Sequence, residues 1–212
     1  MKKINFNDRY DLTLAVIEGR KTMTRRLELD ADSEYIARHY NPIYKPQHCY
    51  YRDSRGMCQL INYNTRKLFI PHYKVGEIVA VAQRYYYAVS SGYDIPVNGM
   101  DRTPGWRNKM FVRADLMPHQ IRITGIKCER LQDISAADCL KEGIFISEYF
   151  GDNGKYHLFG FDGVFYETEG WFARDWYNTP REAFAALIDK VSGKGTWASN
   201  PWVVAYEFEL VK

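Results

Sequence analysis

The sequence predicts an α+β fold built on a small, bent, mostly antiparallel β-barrel with flanking helices and two irregular insertions. Three observations carry that expectation. Long β-patterned runs lie far apart in the chain, at "GEIVAVAQRYYYAV", "HQIRITGIKCERL" and "WVVAYEFELV". The middle run changes phase at Gly125, as a strand does at a bulge. Separate helical segments carry their own start and stop residues. A sheet that bends at a bulge and pairs distant strands is the geometry of a small closed sheet.

Each element follows from local pattern. Ile4 and Phe6 alternate with polar residues and predict a short first strand. Tyr10, Leu14 and Ile17 recur at helical spacing, with Asn7 as the N-cap and Gly19 as the stop. Gly76 to Val89 is rich in β-branched and aromatic residues and reads as a strand, with Val79, Val81 and Gln83 on one face. In the next strand the apolar face moves from Ile121 and Ile123 to Ile126 and Cys128. Ser135 and Asp138 open a helix that closes at Gly143. Thr179, Pro180 and Glu182 make a capping box for a longer helix with Phe184, Leu187, Ile188 and Val191 as its stripe and Gly193 as its end. In the last strand Trp202, Val204, Tyr206, Phe208 and Leu210 share a face opposite Glu207 and Glu209. Residues 28–70 and 145–177 show no sustained period and form the two insertions of a single domain spanning 1–212.

Composition bounds the function. A chain of 212 residues with 46% hydrophobic and 26% charged content is long enough to bury a core without staples. Tyrosine is abundant, 17 residues beside 11 Phe and 5 Trp, and supplies apolar rings with a polar handle for stacking or for wet pockets. The basic N-terminus reaches Asn and Asp before an apolar run develops, and no stretch approaches a membrane span, so the chain reads as cytoplasmic with no membrane partner. Its four cysteines are then expected to be reduced. His39, His48, Cys49, Cys58 and His72 offer no CxxC or HxxxH spacing, so no zinc or other metal is expected, nor any cofactor. A net charge of +3 argues against broad binding of long duplexes and leaves room for a local cationic cleft.

The stretch "EGRKTMTRR", Glu18 to Arg26, concentrates that charge. Arg20, Lys21, Thr22, Thr24, Arg25 and Arg26 leave the first helix together. They form either a solvated connector or a site for an anionic or polar ligand. Extended geometry sends Lys21, Met23 and Arg25 to one side and Arg20, Thr22, Thr24 and Arg26 to the other. Glu142 sits in the last turn of its helix, where the macrodipole disfavours an anion. It is either a surface acid or a site residue.

"EGRKTMTRR", "YKVGEIVAV", "IRITGIKCERLQDISAADCLKEGI" and "NPWVVAYEFELV" together resemble the ASCH domain, in its longer bacterial and phage-borne form. The resemblance covers both ends and the middle in order and leaves out mainly the two insertions. It implies a PUA-like barrel with a cleft for a nucleobase, a nucleotide or single-stranded RNA. Some small ASCH proteins remove the acetyl group from N(4)-acetylcytidine. Matched motif to motif, their catalytic set falls on Lys21, Thr24 and Glu142; Arg20, Thr22, Arg25, Arg26 and Gln83 are then read as substrate- or nucleic-acid-binding residues of the same cleft. The resemblance departs at Ala82 and Gln83, where many longer relatives carry Arg-Glu. A non-enzymatic RNA-binding module remains the alternative reading of the same cations, and a protein partner bound through the aromatic insertions is a third.

Overall fold

The computed structural model describes residues 1–27, 60–61, 68–69, 71–85, 106, 108–151, 154–161 and 175–211. Most of the first insertion, including His39, His48, Cys49 and Cys58, lies outside the described residues, as does the chain from 86 to 89 of the expected second strand. The architecture is α+β. Five strands form the main sheet: β1 (Lys3–Ile4), β2 (Met23–Arg26), β5 (Ile78–Val81), β6 (Gln120–Arg130) and β9 (Trp202–Leu210), in the order β1-β5-β6-β9-β2. Only the β1–β5 pair is parallel. Two short strands, β3 (Leu60–Ile61) and β4 (Leu68–Phe69), pair separately.

The centre of the sheet is the β6–β9 pair, whose register shifts between Ile123 and Gly125, leaving Thr124 as the extra residue. Gly125 is needed for space rather than for a left-handed backbone: a Cβ there would lie 3.0 Å from the Glu207 carboxylate. Among the described residues the sheet is open, with β1 and β2 at its edges, so the closed barrel expected from sequence is not formed by these strands. It is nonetheless curled. Arg26, at the end of one edge strand, donates through Nη2 to the carbonyl of Asn5, just beyond the other edge, at 2.5 Å. Inside the curl Tyr206 is fully buried, with the Tyr73 ring edge-on at 5.2 Å. Trp202 and Phe208 are buried too, whereas Leu210 is exposed.

Among the described residues four α-helices accompany the sheet: α1 (Leu12–Ile17), α2 (Ala136–Lys141), α3 (Pro180–Ser192) and α4 (Thr196–Ser199). The first differs from expectation. Asn7 caps a 3-10 turn, Asp8–Tyr10, through Arg9 N, and Asp11 at φ 48° breaks it from α1. That break rotates the helix, so Leu12, Ala15 and Val16 face the core while Leu14 is exposed. In α3 the capping box is present and Phe184, Leu187 and Ile188 are buried, but Val191 is not. The second insertion is not irregular at its start: β7 (Phe145–Gly151) and β8 (Gly154–Gly160) form an antiparallel hairpin in full register. Sequence missed it because apolar residues fall on both faces and blur the alternation: Ile146 and Tyr156 are open to solvent while Phe159 packs against the core. The second expected strand ends at Val81, the sixth residue of the run, and Gln83 follows outside it. Among the described residues no helix is long and apolar enough to cross a membrane.

Candidate functional site

The site begins where α1 ends. Gly19 takes φ 73° and turns the chain, and Lys21 N bonds back to the Ala15 carbonyl at 2.9 Å. Thr22 then joins two elements through its backbone. Its N–H donates to Lys141 O at the end of α2, and its carbonyl accepts from Phe208 N in β9. From there β2 runs antiparallel to β9, with Thr24 opposite Tyr206. On the facing side Ser135 caps α2 through Asp138 N, Glu142 ends the helix and Gly143 turns away at φ 102°. These joints bring the cationic segment against the end of α2.

Glu142 is not a surface acid. It is only 4% exposed, and Lys21 is 3% exposed. Lys21 Nζ donates to Glu142 Oε2 at 2.6 Å and to the Glu142 carbonyl at 2.7 Å. The second bond satisfies one of the orphan carbonyls at a helix end. Arg25 takes the other carboxylate oxygen, Nη1 to Oε1 at 2.9 Å. Two cations therefore offset the unfavourable end of the helix dipole, which explains how an acid persists there.

Behind this pair the charges continue inward. Arg25 binds Glu129 Oε1 through Nε at 2.8 Å and Nη2 at 2.5 Å, and reaches Asp138 Oδ2 at 3.3 Å. Lys127 closes the set, 2.8 Å from Asp138 and 3.1 Å from Glu129. Three cations balance three carboxylates. Burial works to lower the Arg25 pKa, but Glu142 and Glu129 outweigh it and the guanidinium is held above its ordinary value. For Asp138, burial raises the pKa, but Lys127, Arg25 and Lys141 together outweigh it, so the carboxylate sits below its ordinary range. Lys21 goes the other way. Burial above all, joined by Arg26 and Arg25, depresses its pKa, and the Glu142 carboxylate restores only part of the loss.

Lys21, Thr24, Arg25, Arg26 and Glu142 all line one cleft of about 150 Å³, walled by Phe6 and by Phe184, Leu187 and Ile188 of α3. An apolar cavity of roughly this volume holds one benzene ring, so the cleft suits a planar ring or a small acyl amide. Thr24 is 6% exposed, and its hydroxyl is held by no other side chain among the described residues. Arg26 lies over the Phe6 ring at 5.6 Å with its Nε buried and unpartnered, and has no carboxylate partner among the described residues. The remaining sequence-predicted residues fall elsewhere. Arg20 is exposed and pairs with Glu18 at 2.6 Å, and Thr22 serves through its backbone. Gln83 is buried, but it bonds His119 at 2.9 Å and lines a separate cavity with Asp8, Thr13 and Arg84. It is thus not a wall of the Lys21 cleft, because the chain leaves β5 before reaching it.

Sequence reasoning missed Lys127, Glu129 and Asp138. One signal was available: Asp138 and Glu142 are four apart, and like charges on one helix face repel unless cations cover them. Buried Cys139 in α2 has its thiol pushed up to about 11 by burial, which leaves it neutral. Among the described residues no group of three or more His, Cys, Asp or Glu could hold a metal ion. Comparison of the chain with protein-family models, curated proteins and solved structures gives no match.

Gly143 couples backbone to site. At φ 102° a side chain is strained, and a Cβ would also meet Leu12 at 3.4 Å and the Lys21 stem at 3.7 Å. Gly143→Ala is expected to lower stability by about 1–2 kcal/mol, measured by urea unfolding. A loss below the error of that measurement would show that the turn relaxes freely.

Proposed function

We propose that the chain is a PUA-like protein of the ASCH type whose cleft takes a cytosine acylated on its exocyclic amine and hydrolyses that amide. The observation that carries this reading is the convergence of Lys21, Thr24 and Glu142 on one small cleft. The curl that joins the two sheet edges through Arg26 and Asn5 supports the barrel-like part of it, and the motifs shared with the ASCH domain support the assignment.

The chemistry follows from the charges. Thr24 Oγ attacks the acyl carbon, and its proton passes to the Lys21 amine in its neutral form. Burial favours that form by lowering the pKa. The carbonyl electrons move onto oxygen, and Arg26, which lines the cleft and has no carboxylate partner among the described residues, stabilises the oxyanion. As the intermediate collapses the C–N bond breaks, and the Lys21 proton, relayed by Glu142, goes to the leaving cytosine amine. Water then cleaves the threonyl ester and returns the Thr24 proton. The balance is N(4)-acetylcytidine plus water to cytidine plus acetate and one proton. A ring-sized cleft holds the acylated edge and leaves the sugar outside.

The second reading, a non-enzymatic RNA-binding module, is favoured by Arg26, since a cleft guanidinium with no carboxylate partner among the described residues also suits a phosphate. Incubation with N(4)-acetylcytidine followed by chromatography separates the two. Release of cytidine is expected. No product, together with RNA oligonucleotide binding that depends on Lys21 and Arg26, would replace the hydrolase with the binding module.

A further inference from the structure

We propose that Glu129, Asp138 and Lys127, which do not line the cleft, act through Arg25 as positioning residues that orient the Glu142 carboxylate and set the proton affinity of Lys21. The inference deepens the hydrolase reading and rests on it for its kinetic consequence, though not for its structural one.

The geometry makes Arg25 the hinge of the set. One guanidinium nitrogen, Nη1, holds Glu142 Oε1, while Nε and Nη2 are committed to Glu129 and Asp138. The guanidinium is planar and rigid, so fixing one edge fixes the direction in which the other points. Lys127 in turn bridges the two carboxylates that hold that edge. Glu142 then has one oxygen on Arg25 and one on Lys21, with no freedom to rotate without breaking both.

The charges facing Lys21 come from every side. Glu142 approaches from the end of α2, and Arg25 and Arg26 from β2. One layer out lie Glu129 and Lys127 of β6, Asp138 and Lys141 of α2, and Glu207 of β9, which Lys141 approaches at 3.6 Å. The walls from α1 and α3 are apolar, apart from Ser192. In such a low-dielectric site, removing one charge from the second layer changes the field at Lys21 with little to screen it. The sign depends on which charge is removed. Loss of an acid leaves Arg25 less neutralised and makes protonation of Lys21 harder. Loss of Lys127 does the opposite.

Opposed signs make the test specific. The full chain, labelled with 15N-lysine, gives the Lys21 Nζ titration by NMR, assigned with Lys21→Met. The pH–rate profile on N(4)-acetylcytidine is recorded beside it. Glu129→Gln and Asp138→Asn are expected to move the Lys21 transition, and the rising limb of the rate, to lower pH, and Lys127→Met to higher pH. Each shift should be on the order of 0.5–1 unit. Asp138 is only partly buried and its replacement isosteric, so that variant keeps the test open if a more buried one does not fold. Three transitions unchanged from wild type, or all displaced in the same direction, would overturn the proposal. If the NMR shifts appear while no variant and no wild type releases cytidine, the network stands and the hydrolase reading falls.

Discussion

On the hydrolase reading, Thr24→Ala and Lys21→Ala are each expected to abolish hydrolysis of N(4)-acetylcytidine, with turnover falling by at least about a hundredfold, roughly 3 kcal/mol of barrier. The two losses have different origins. Thr24→Ala removes the nucleophilic oxygen, and its small buried methyl leaves the ion pairs untouched. Lys21→Ala removes the base and also a contact to the helix carbonyl, yet Glu142 keeps Arg25 as a partner. The folded state should therefore survive in both variants, and circular dichroism can verify this before rates are compared. Steady-state kinetics with cytidine quantified by chromatography is the check. Turnover within a few-fold of wild type in Thr24→Ala would exclude an acyl-threonine route.

Arg25→Met is expected to cost far more stability than any surface change, about 3–5 kcal/mol. The guanidinium is almost wholly enclosed, with 1% side-chain exposure, and touches Glu129, Asp138 and Glu142. Its removal leaves the three carboxylates to Lys21 and Lys127, with the half-exposed Lys141 3.8 Å from Asp138. Breaking one side of a buried charge set is costly because the remaining charges stay desolvated, even where the intact set contributes little. Guanidinium would screen the effect being measured, so urea denaturation is the appropriate readout. A loss below about 1 kcal/mol would mean that water reaches the network and that these charges are effectively at the surface.

How much of this was legible in the sequence depended on which residues speak locally. Gly125 announced the bulge because the apolar phase changes there. Ser135, Thr179 and Pro180 announced two helix starts because capping is a property of a few adjacent residues. The 3-10 turn at Asp8–Tyr10 was hidden, since Tyr10, Leu14 and Ile17 keep helical spacing and Asp11 carries no sign of its left-handed backbone. At the site, Lys21, Thr24 and Glu142 could be named from motif resemblance, and they line one cleft. Gln83 could not be placed, because its face depends on where β5 ends. The inner charges were illegible for a different reason. Lys127 and Glu129 flank Cys128 on a strand and read as a solvated face. Only the packing of α2 and Arg25 over that face turns it into an interior.

On the hydrolase reading, the acylated amine is held where Lys21, Thr24 and Glu142 meet. A crystal structure of Thr24→Ala with N(4)-acetylcytidine tests it most directly, since this variant keeps the cleft and cannot turn over the ligand. The predicted result places the acetyl amide inside the cleft, within hydrogen-bond reach of Lys21 Nζ and the Glu142 carboxylate, with the sugar toward solvent. A ligand bound only outside, with the sugar on Arg26 and the cleft occupied by water, would contradict it.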